Sequence, residues 1–414
     1  MRHLIIGSGP AGVVAAETLR KADPAAEITL LCGEAGPPYS RMAIPYLLKG
    51  DIAEQGTHLR KEVDHYDRLR IRLVTGRATA VDTQARTVSL GQGAPLPFDR
   101  LLIATGSRPS LERVPGIDLP GVRSCWTLDD AKAILDQARP GTRIVQMGAG
   151  FVGCIIMEGL LSRGVDLTIL VRSGYMVRRM MNATASGLLR SWCEAKGVKI
   201  LTHTQPTGIA SEGGSLQVTL KDGRILPADI YLSAVGVDPN LDFLQGSGIE
   251  VAQGIVVDAN LQSSVPGVYA AGDVAEATDC LTGKRQLNAI QPNAVEQGRI
   301  AALNMAGRPA RFKGSFVFNV LTTLGLVSSS FGEWQGVAGG ESCEVLDERR
   351  YRYLNLQFDG DRLIGANTVG FTDHVGALRG LIEGRVRLGA WKHRLVEDPT
   401  LIMQAYLAAA HSVA

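Results

Sequence analysis

The stretch His3–Glu34, HLIIGSGPAGVVAAETLRKADPAAEITLLCGE, predicts a strand, a glycine-rich turn, a helix and a second strand. We expect the strands at His3–Ile6 and Glu27–Leu31 and the helix at Ala11–Lys21. In the G-x-G-x-x-G spacing, the first glycine permits a tight turn, the second lets a pyrophosphate approach the backbone, and the third lets helix pack on strand. The candidate dinucleotide-binding residues of this unit are Gly7, Gly9, Pro10, Ala11 and Gly12.

An acidic residue follows the second predicted strand. Glu34 lies about 20 residues after Gly12, where such a unit presents a carboxylate to a ribose hydroxyl pair. The complete order of strand, turn, helix, strand and acid therefore predicts dinucleotide binding far better than the glycines alone do.

The same pattern recurs in the segment TRIVQMGAGFVGCIIMEGLLSRGVDLTILVRSG. It predicts a strand at Arg143–Met147, a helix at Phe151–Ser162 and a strand at Asp166–Val171. The second set of candidate dinucleotide-binding residues is Gly148, Gly150, Phe151, Val152 and Gly153.

This second unit lacks an acid at the end of its second strand, where Val171 and Arg172 stand instead. Arg172, Arg178 and Arg179 could bind a 2′-phosphate, which favours NADP as the cofactor, with NAD still open. The alternative reading is a solvated basic loop. Two dinucleotide sites in one chain suggest a flavin and a nicotinamide, because a flavin can accept a hydride from a nicotinamide.

Composition excludes several classes of partner. The 414 residues carry 43 basic and 41 acidic side chains, so a net charge of +2 gives no reason to expect nucleic acid as a partner. The first apolar run breaks into glycine too early for a signal peptide or a membrane segment, and we expect a cytoplasmic protein. The cysteines show no metal-ligand or C-x-x-C spacing, so we predict no metal site; they are Cys32, Cys125, Cys154, Cys193, Cys280 and Cys343.

Two further motifs, LLIATGSRP at 101–109 and GVYAAGDVAEA at 267–277, accompany the two glycine turns. Together the four motifs resemble those of the pyridine nucleotide-disulfide oxidoreductase superfamily of two-dinucleotide flavoprotein reductases. The resemblance implies an α/β fold with two Rossmann-like domains, for FAD and NAD(P), and a small α+β C-terminal domain. It also implies that the first glycine motif binds FAD and the second binds the nicotinamide cofactor.

The resemblance implies roles for residues outside the glycine motifs. Arg41 would lie near the FAD phosphates, and the backbone at Val81 would contact the adenine. Gly272 and Asp273 would contact the ribityl or phosphate part of FAD. Thr105, Gly106 and Gly236 would lie at the crossovers between the domains. Gln291 and Asn293 would lie in the first turn of a helix directed at the flavin pyrimidine ring.

The same topology predicts the domain boundaries. We expect a discontinuous FAD domain at 1–110 and 237–310, an NAD(P) domain at 111–236 and a C-terminal interface or cap domain at 311–414. Thr127 and Asp130 are spaced as a helix N-cap and its acidic partner at the start of the inserted domain. In the superfamily the tail often forms a dimer interface, so we expect that it could support a homodimer.

Met42, in the segment RMAIPY, stands where single-cysteine members of the superfamily carry the reactive thiol. A thioether has no ionisable proton and cannot form the thiolate that attacks a disulfide. Ile155 stands where many relatives carry a glutamate paired with a lysine, and Glu158 is either its substitute or a carboxylate on the helix surface or the nicotinamide side.

With these departures, the sequence resembles the acceptor-reducing branch of the superfamily. That branch contains rubredoxin and ferredoxin reductases, nitrite reductase flavin domains and flavin subunits of larger complexes. We predict an FAD-dependent NAD(P)H oxidoreductase that passes electrons to a separate acceptor, which would be a ferredoxin-like or rubredoxin-like protein, a partner subunit or oxygen. No catalytic residue is assigned, because the cofactor carries the chemistry. The alternative is a non-catalytic flavoprotein subunit that uses its nicotinamide site for redox sensing or assembly.

Overall fold

The computed structural model describes residues 1–110 and 112–410. The chain divides into two compact units. The first contains Met1–Ala43, Ile52–Arg108 and Val237–Phe316, and the second contains Ile44–Asp51, Pro109–Gly236 and Val317–Ala414. The second unit thus includes both the central insertion and the tail, and the division into three domains stays a prediction.

The helices of the described residues are α1 Pro10–Ala22, α2 Ile44–Lys49, α3 Glu54–Thr57, α4 His65–Arg68, α5 Leu128–Gln137, α6 Phe151–Leu161, α7 Ala183–Ala195, α8 Gln291–Met305, α9 Val375–Glu383, α10 Trp391–Glu397 and α11 Ile402–Ala410. Within this part of the chain, no helix combines the length and apolar character that crossing a membrane requires.

The strands in the same residues are β1 Arg2–Ile6, β2 Glu27–Cys32, β3 Ile71–Thr75, β4 Ala78–Asp82, β5 Thr87–Leu90, β6 Leu96–Pro97, β7 Arg100–Ile103, β8 Ser107–Pro109, β9 Val122–Arg123, β10 Arg143–Met147, β11 Asp166–Val171, β12 Lys199–Thr202, β13 Pro206–Glu212, β14 Ser215–Leu220, β15 Ile225–Ala228, β16 Ile230–Ser233, β17 Val237–Pro239, β18 Ile255–Val256, β19 Val268–Ala270, β20 Ala275–Thr278, β21 Arg285–Leu287, β22 Phe318–Thr323, β23 Leu326–Gly332, β24 Glu341–Asp347, β25 Arg352–Asp359 and β26 Arg362–Val369.

The first unit is built on a five-stranded parallel sheet in the order β19-β7-β1-β2-β3. The sequence LIIG supplies a continuous apolar run for β1, which suits a strand covered on both faces. Helices α1 and α8 pack against each other, and α8 also packs on β19 and β7. Smaller sheets, β4-β5-β6 and β18-β20-β21, complete the unit.

The second unit contains another five-stranded parallel sheet, in the order β12-β11-β10-β16-β9. A three-stranded antiparallel sheet, β13-β14-β15, lies beside it in the chain. The tail forms a five-stranded antiparallel sheet, β22-β23-β26-β25-β24, together with α9, α10 and α11. The predicted fold class is confirmed.

The element boundaries follow the sequence closely. The helix predicted at Ala11–Lys21 forms with one more residue at each end, and β10 and β11 coincide with their predicted ranges. The predicted cap also forms: Thr127 accepts a hydrogen bond from the Asp130 amide, and the Asp130 carboxylate accepts one from the Thr127 amide. Two of the first unsatisfied amides of α5 are thereby satisfied within the protein.

Candidate cofactor sites

The glycine turn after β1 requires its glycines for two different reasons. Gly7 has a φ of +108°, and a Cβ there would lie 2.1 Å from the carbonyl oxygen of Ala104. A Cβ on Gly12 would lie 1.9 Å from the Gly7 carbonyl oxygen. Gly9 differs, because a Cβ there would meet no atom of the described residues within 4 Å. The space in front of Gly9 is therefore open for a ligand to approach the backbone.

The N-terminus of α1 has no side-chain cap among the described residues. Gly9 is the N-cap, Pro10 and Ala11 open the helix, and none of the described side chains caps it. By contrast, Thr127 caps α5 and Asn182 caps α7. Uncapped amides at the positive end of a helix suit an anionic ligand, so this turn fits a dinucleotide pyrophosphate.

The second turn repeats this geometry in the other unit. Gly148 has a φ of +106°, with the Ala234 carbonyl oxygen 2.2 Å from a Cβ placed there. Gly153 would clash in the same way, whereas a Cβ on Gly150 meets nothing in the described residues within 4 Å. Phe151 and Val152 open α6, which, as far as the structure describes it, has no side-chain cap. This turn also fits a dinucleotide.

Gln146 braces the second turn and was not found from the sequence. Its side-chain Nε2 donates to the carbonyl oxygens of Gly148 and Gly153, at 2.9 and 3.1 Å. The residue is fully buried on β10. The sequence feature that could have identified Gln146 is a polar residue in the strand before a glycine turn, because a buried amide needs hydrogen-bond partners.

Glu34 and Arg41, predicted separately, lie together in the first unit. The Glu34 carboxylate accepts a hydrogen bond from the Tyr39 hydroxyl at 2.6 Å and forms an ion pair with the Arg41 guanidinium. Both charged side chains are about one-third exposed. Because both charged groups remain partly accessible to solvent, a bound ligand could also form hydrogen bonds with them.

The predicted positions after β7 and β19 are linked by hydrogen bonds. The Ser107 hydroxyl donates to the Asp273 carboxylate at 2.7 Å, which fixes one of its oxygens. Gly272, with a φ of +82°, donates its amide to the Gln297 side chain at 2.8 Å. Asp273 is only partly buried. Its remaining oxygen lone pairs can accept hydroxyl donors from a ligand.

The crossover from β7 is held by Asn240, which the sequence analysis did not single out. Its side-chain amide donates to the Thr105 carbonyl at 2.9 Å, and its backbone amide donates to the Gly106 carbonyl at 3.0 Å. In the second unit, the Gly236 carbonyl accepts the Ser110 amide at 3.0 Å, and Gly236 has a φ of +134°. The conformation at Gly236 is one that side chains rarely adopt.

The two predicted residues on α8 face different surroundings. The Gln291 side-chain oxygen accepts a hydrogen bond from the hydroxyl of Ser40, the residue that precedes Arg41, at 2.9 Å. Asn293 is buried, and its amide donates to the Phe316 carbonyl at 3.5 Å. The N-terminus of α8 carries no side-chain cap within the described residues.

Val81 is buried on β4, opposite Val88 of β5.

The end of β11 is basic, and a carboxylate from elsewhere lies near it. Arg172 and Arg178 are exposed. Burial raises the pKa of Glu112, while hydrogen bonds from Ser233 and Tyr231 and the nearby Arg172 charge oppose that rise. The Tyr231 hydroxyl is 3.1 Å from both Glu112 carboxylate oxygens. Glu112 could not be placed here from the sequence, because it lies far from Arg172 in the chain.

The thiols of five cysteines resist ionisation. Burial raises the pKa of Cys125 and of Cys193 to about 12 and that of Cys343 to about 11. Burial also raises the pKa of Cys32 and Cys154. The thioether of Met42, which has no ionisable proton, belongs to a side chain that is 46% exposed. Since the thiolate is the reactive form, these five cysteines are poor nucleophiles.

Glu158 forms an ion pair with a residue that the sequence analysis passed over. Its carboxylate lies 3.0 Å from the Lys49 ammonium on α2, and Asp51 lies 3.2 Å from the same ammonium. The side chains of Lys49 and Glu158 are 39% and 32% exposed. A glutamate paired with a lysine is what the substitute alternative requires, and the choice between the alternatives for Glu158 stays a prediction.

Comparison with known proteins decides the family. The family model described as pyridine nucleotide-disulphide oxidoreductase matches residues 1–298. The chain belongs to this family. It is therefore an FAD-dependent NAD(P)H oxidoreductase that transfers electrons through flavin to an acceptor, and the predicted family and enzyme class are confirmed.

Three relatives illustrate its range. The NADH-dependent phenylglyoxylate dehydrogenase subunit epsilon of Aromatoleum evansii is 32% identical over 405 residues, which cover 97% of this chain and 96% of that protein. The benzene 1,2-dioxygenase system ferredoxin–NAD(+) reductase subunit of Pseudomonas putida is 33% identical over 73% of this chain and 74% of its own. A ferredoxin reductase crystal structure from Rhodopseudomonas palustris has a TM-score of 0.83 at 25% identity, covering 90% of this chain and 92% of that one.

Proposed function

We propose that this oxidoreductase delivers its electrons to a separate redox protein or partner subunit, and that no protein thiol takes part in the transfer. The observation that carries this proposal is the state of the cysteines together with Met42. Five of the thiols have a raised pKa, and Met42 stands where the sequence analysis places the family's reactive cysteine. A disulfide substrate would therefore find no attacking thiolate at Met42 or among these five cysteines.

The relatives support an external acceptor of this kind. Similarity to the dehydrogenase subunit of Aromatoleum evansii extends over nearly the whole chain, including the tail. Similarity to the ferredoxin reductase of Pseudomonas putida covers about three-quarters. An iron-sulfur protein or an iron-sulfur partner subunit accepts electrons singly, which a flavoprotein can supply.

The two turns would bind the two cofactors. In this proposal the amides of α1 and the open face of Gly9 bind the FAD pyrophosphate, Glu34 accepts its ribose hydroxyls, and Asp273 orients its ribityl chain. The open face of Gly150 and the amides of α6 bind the nicotinamide dinucleotide. FAD, when bound, accepts a hydride and releases electrons singly or in pairs. The chain's own contribution is to bind and orient both groups.

The basic end of β11 bears on cofactor choice. Exposed Arg172 and Arg178 favour the 2′-phosphate of NADPH, as the sequence predicted, and the nearby Glu112 tempers that charge. The preference for NADPH, a cytoplasmic location and a homodimer formed through residues 311–414 stay predictions.

An anaerobic acceptor panel tests the proposal. The purified holoprotein is reduced with NADPH or NADH in a stopped-flow instrument and mixed with ferricyanide, a [2Fe–2S] ferredoxin, rubredoxin or a low-molecular-weight disulfide. We expect rapid reoxidation by one-electron acceptors and none by the disulfide. Alkylation of the reduced protein with iodoacetamide should leave these rates unchanged. Reoxidation by the disulfide alone, or inactivation by iodoacetamide, would contradict the proposal.

A further inference from the structure

A cavity of about 320 Å³ lies in the tail of the second unit, among β25, β26, α9 and the start of α11. Its floor is apolar and buried: Leu354, Leu378 and Ile402 are each less than 5% exposed. The volume is at the lower end of the range for small-molecule sites, roughly 300–1,000 Å³. The cavity can hold a small apolar body.

The cavity lining includes Arg352, a cation with one donor atom that has no acceptor among the described residues. The Arg352 Nε is buried and has no hydrogen-bond partner among the described residues. The guanidinium carbon lies over the Phe371 ring, 4.1 Å from its centre. A buried donor without an acceptor is costly, and the positive charge of the group favours an anionic acceptor, which the described residues do not supply.

The rest of the lining limits the class of anion. Asp373 stands exposed at the rim, and no ion pair joins it to Arg352 in the part of the chain described. Asp373 repels every negative charge on a ligand while Arg352 attracts it, so each added charge weakens the balance and a monoanion is favoured over a dianion. A single carboxylate matches the planar guanidinium with two parallel hydrogen bonds.

We propose that this cavity binds a small monocarboxylate with an apolar body, its carboxylate on Arg352 and its body on Leu354, Leu378 and Ile402. The residues that line the site all belong to the second unit, and none of them belongs to either glycine turn. The proposal does not depend on the identity of the electron acceptor.

Isothermal titration calorimetry on the holoprotein with benzoate tests the site, with NADPH or NADH present at saturation to keep the dinucleotide site filled. We expect benzoate to bind, while benzamide, which lacks the charge, and acetate, which lacks the apolar body, each bind at least about tenfold more weakly. Equal binding of benzamide or acetate would overturn the proposal, as would no benzoate binding at millimolar concentration.

Variants assign the binding to Arg352. Arg352→Gln should weaken benzoate binding by about tenfold or more, and Arg352→Lys should give an intermediate loss, because it keeps the charge without the paired donors. Arg350→Gln is the matched control, since Arg350 lies two residues away and is 78% exposed. Unchanged affinity in Arg352→Gln would overturn the assignment. If that variant fails to fold, the benzoate, benzamide and acetate comparison on the wild-type protein still decides.

Discussion

Gly298 of α8 lies against the backbone of Ala11 in α1: a Cβ on Gly298 would be 2.3 Å from the Ala11 carbonyl oxygen. Ala11 lies in the first turn of α1, the helix that follows the first glycine turn. The contact therefore ties the packing of α8 to the geometry of the proposed FAD pyrophosphate site.

Gly298→Ala should force α1 and α8 apart. We expect a loss of about 1–3 kcal/mol in the free energy of unfolding, together with a lower FAD content, measured by denaturation and by flavin absorbance per protein. Gly187→Ala in α7 is the control. No described atom lies within 4 Å of a Cβ there, so this helix position should lose no stability. An equal effect of the two substitutions would argue against the close α1–α8 contact.

The open glycines allow folding and ligand binding to be separated. Because a Cβ on Gly9 or Gly150 meets no described atom within 4 Å, both alanine variants should keep the wild-type melting temperature when the apoproteins are compared. We expect Gly9→Ala to lower the FAD content and Gly150→Ala to raise KM for the nicotinamide cofactor with normal FAD content. Each variant is the control for the other. If both lost FAD, or neither changed either quantity, the assignment of the two turns would be wrong.

Arg172→Glu should move cofactor preference toward NADH. The substitution removes a cation and adds a carboxylate beside Glu112, which would repel a 2′-phosphate. We expect the ratio of kcat/KM for NADPH to that for NADH to fall by at least about tenfold. Lys199→Glu, on the neighbouring strand β12, is the control and should leave the ratio unchanged. A wild-type preference for NADH would count against the 2′-phosphate argument.

His3 should make the protein acid-sensitive. It is 1% exposed on β1, and neither ring nitrogen has a partner among the residues described. Burial lowers its pKa from 6.5 to about 4, opposed by the charge of Asp23. The unfolded chain therefore binds a proton more readily than the folded one between these values, so stability is lost as the pH falls through that window.

His3→Leu should remove this loss, which the shift places at about 3 kcal/mol. Urea denaturation at pH 7.5, 5.5 and 4 would measure it, with His393→Leu, at an exposed position of α10, as the control. An unchanged pH dependence in His3→Leu would show that other groups dominate acid unfolding.

Local geometry explains why the sequence predicted the glycine turns so well. Gly7 and Gly148 each need a positive φ, and the other glycines of each motif lie only a few residues further along the chain. The spacing of the glycines alone therefore predicts each turn. The cap on α5 was predictable for the same reason, since Thr127 and Asp130 are one helical turn apart.

The contacts between distant segments were not predictable in this way. His3 is buried on β1, and among the described residues neither of its ring nitrogens has a hydrogen-bond partner. Lys49 reaches Glu158, and Tyr231 reaches Glu112, across more than 100 residues of chain each. Such pairs form only when packing brings their elements together.

The sequence by itself determined the two βαβ units, their order and the family, because strand periodicity and glycine spacing act within about 30 residues. The tertiary structure alone decided which side chains meet: Arg41 with Glu34, Ser107 with Asp273, and Arg352 with Phe371 over an apolar cavity. The physical reason is that the pKa and hydrogen bonding of a side chain depend on burial and on neighbours from remote segments, which no local spacing encodes.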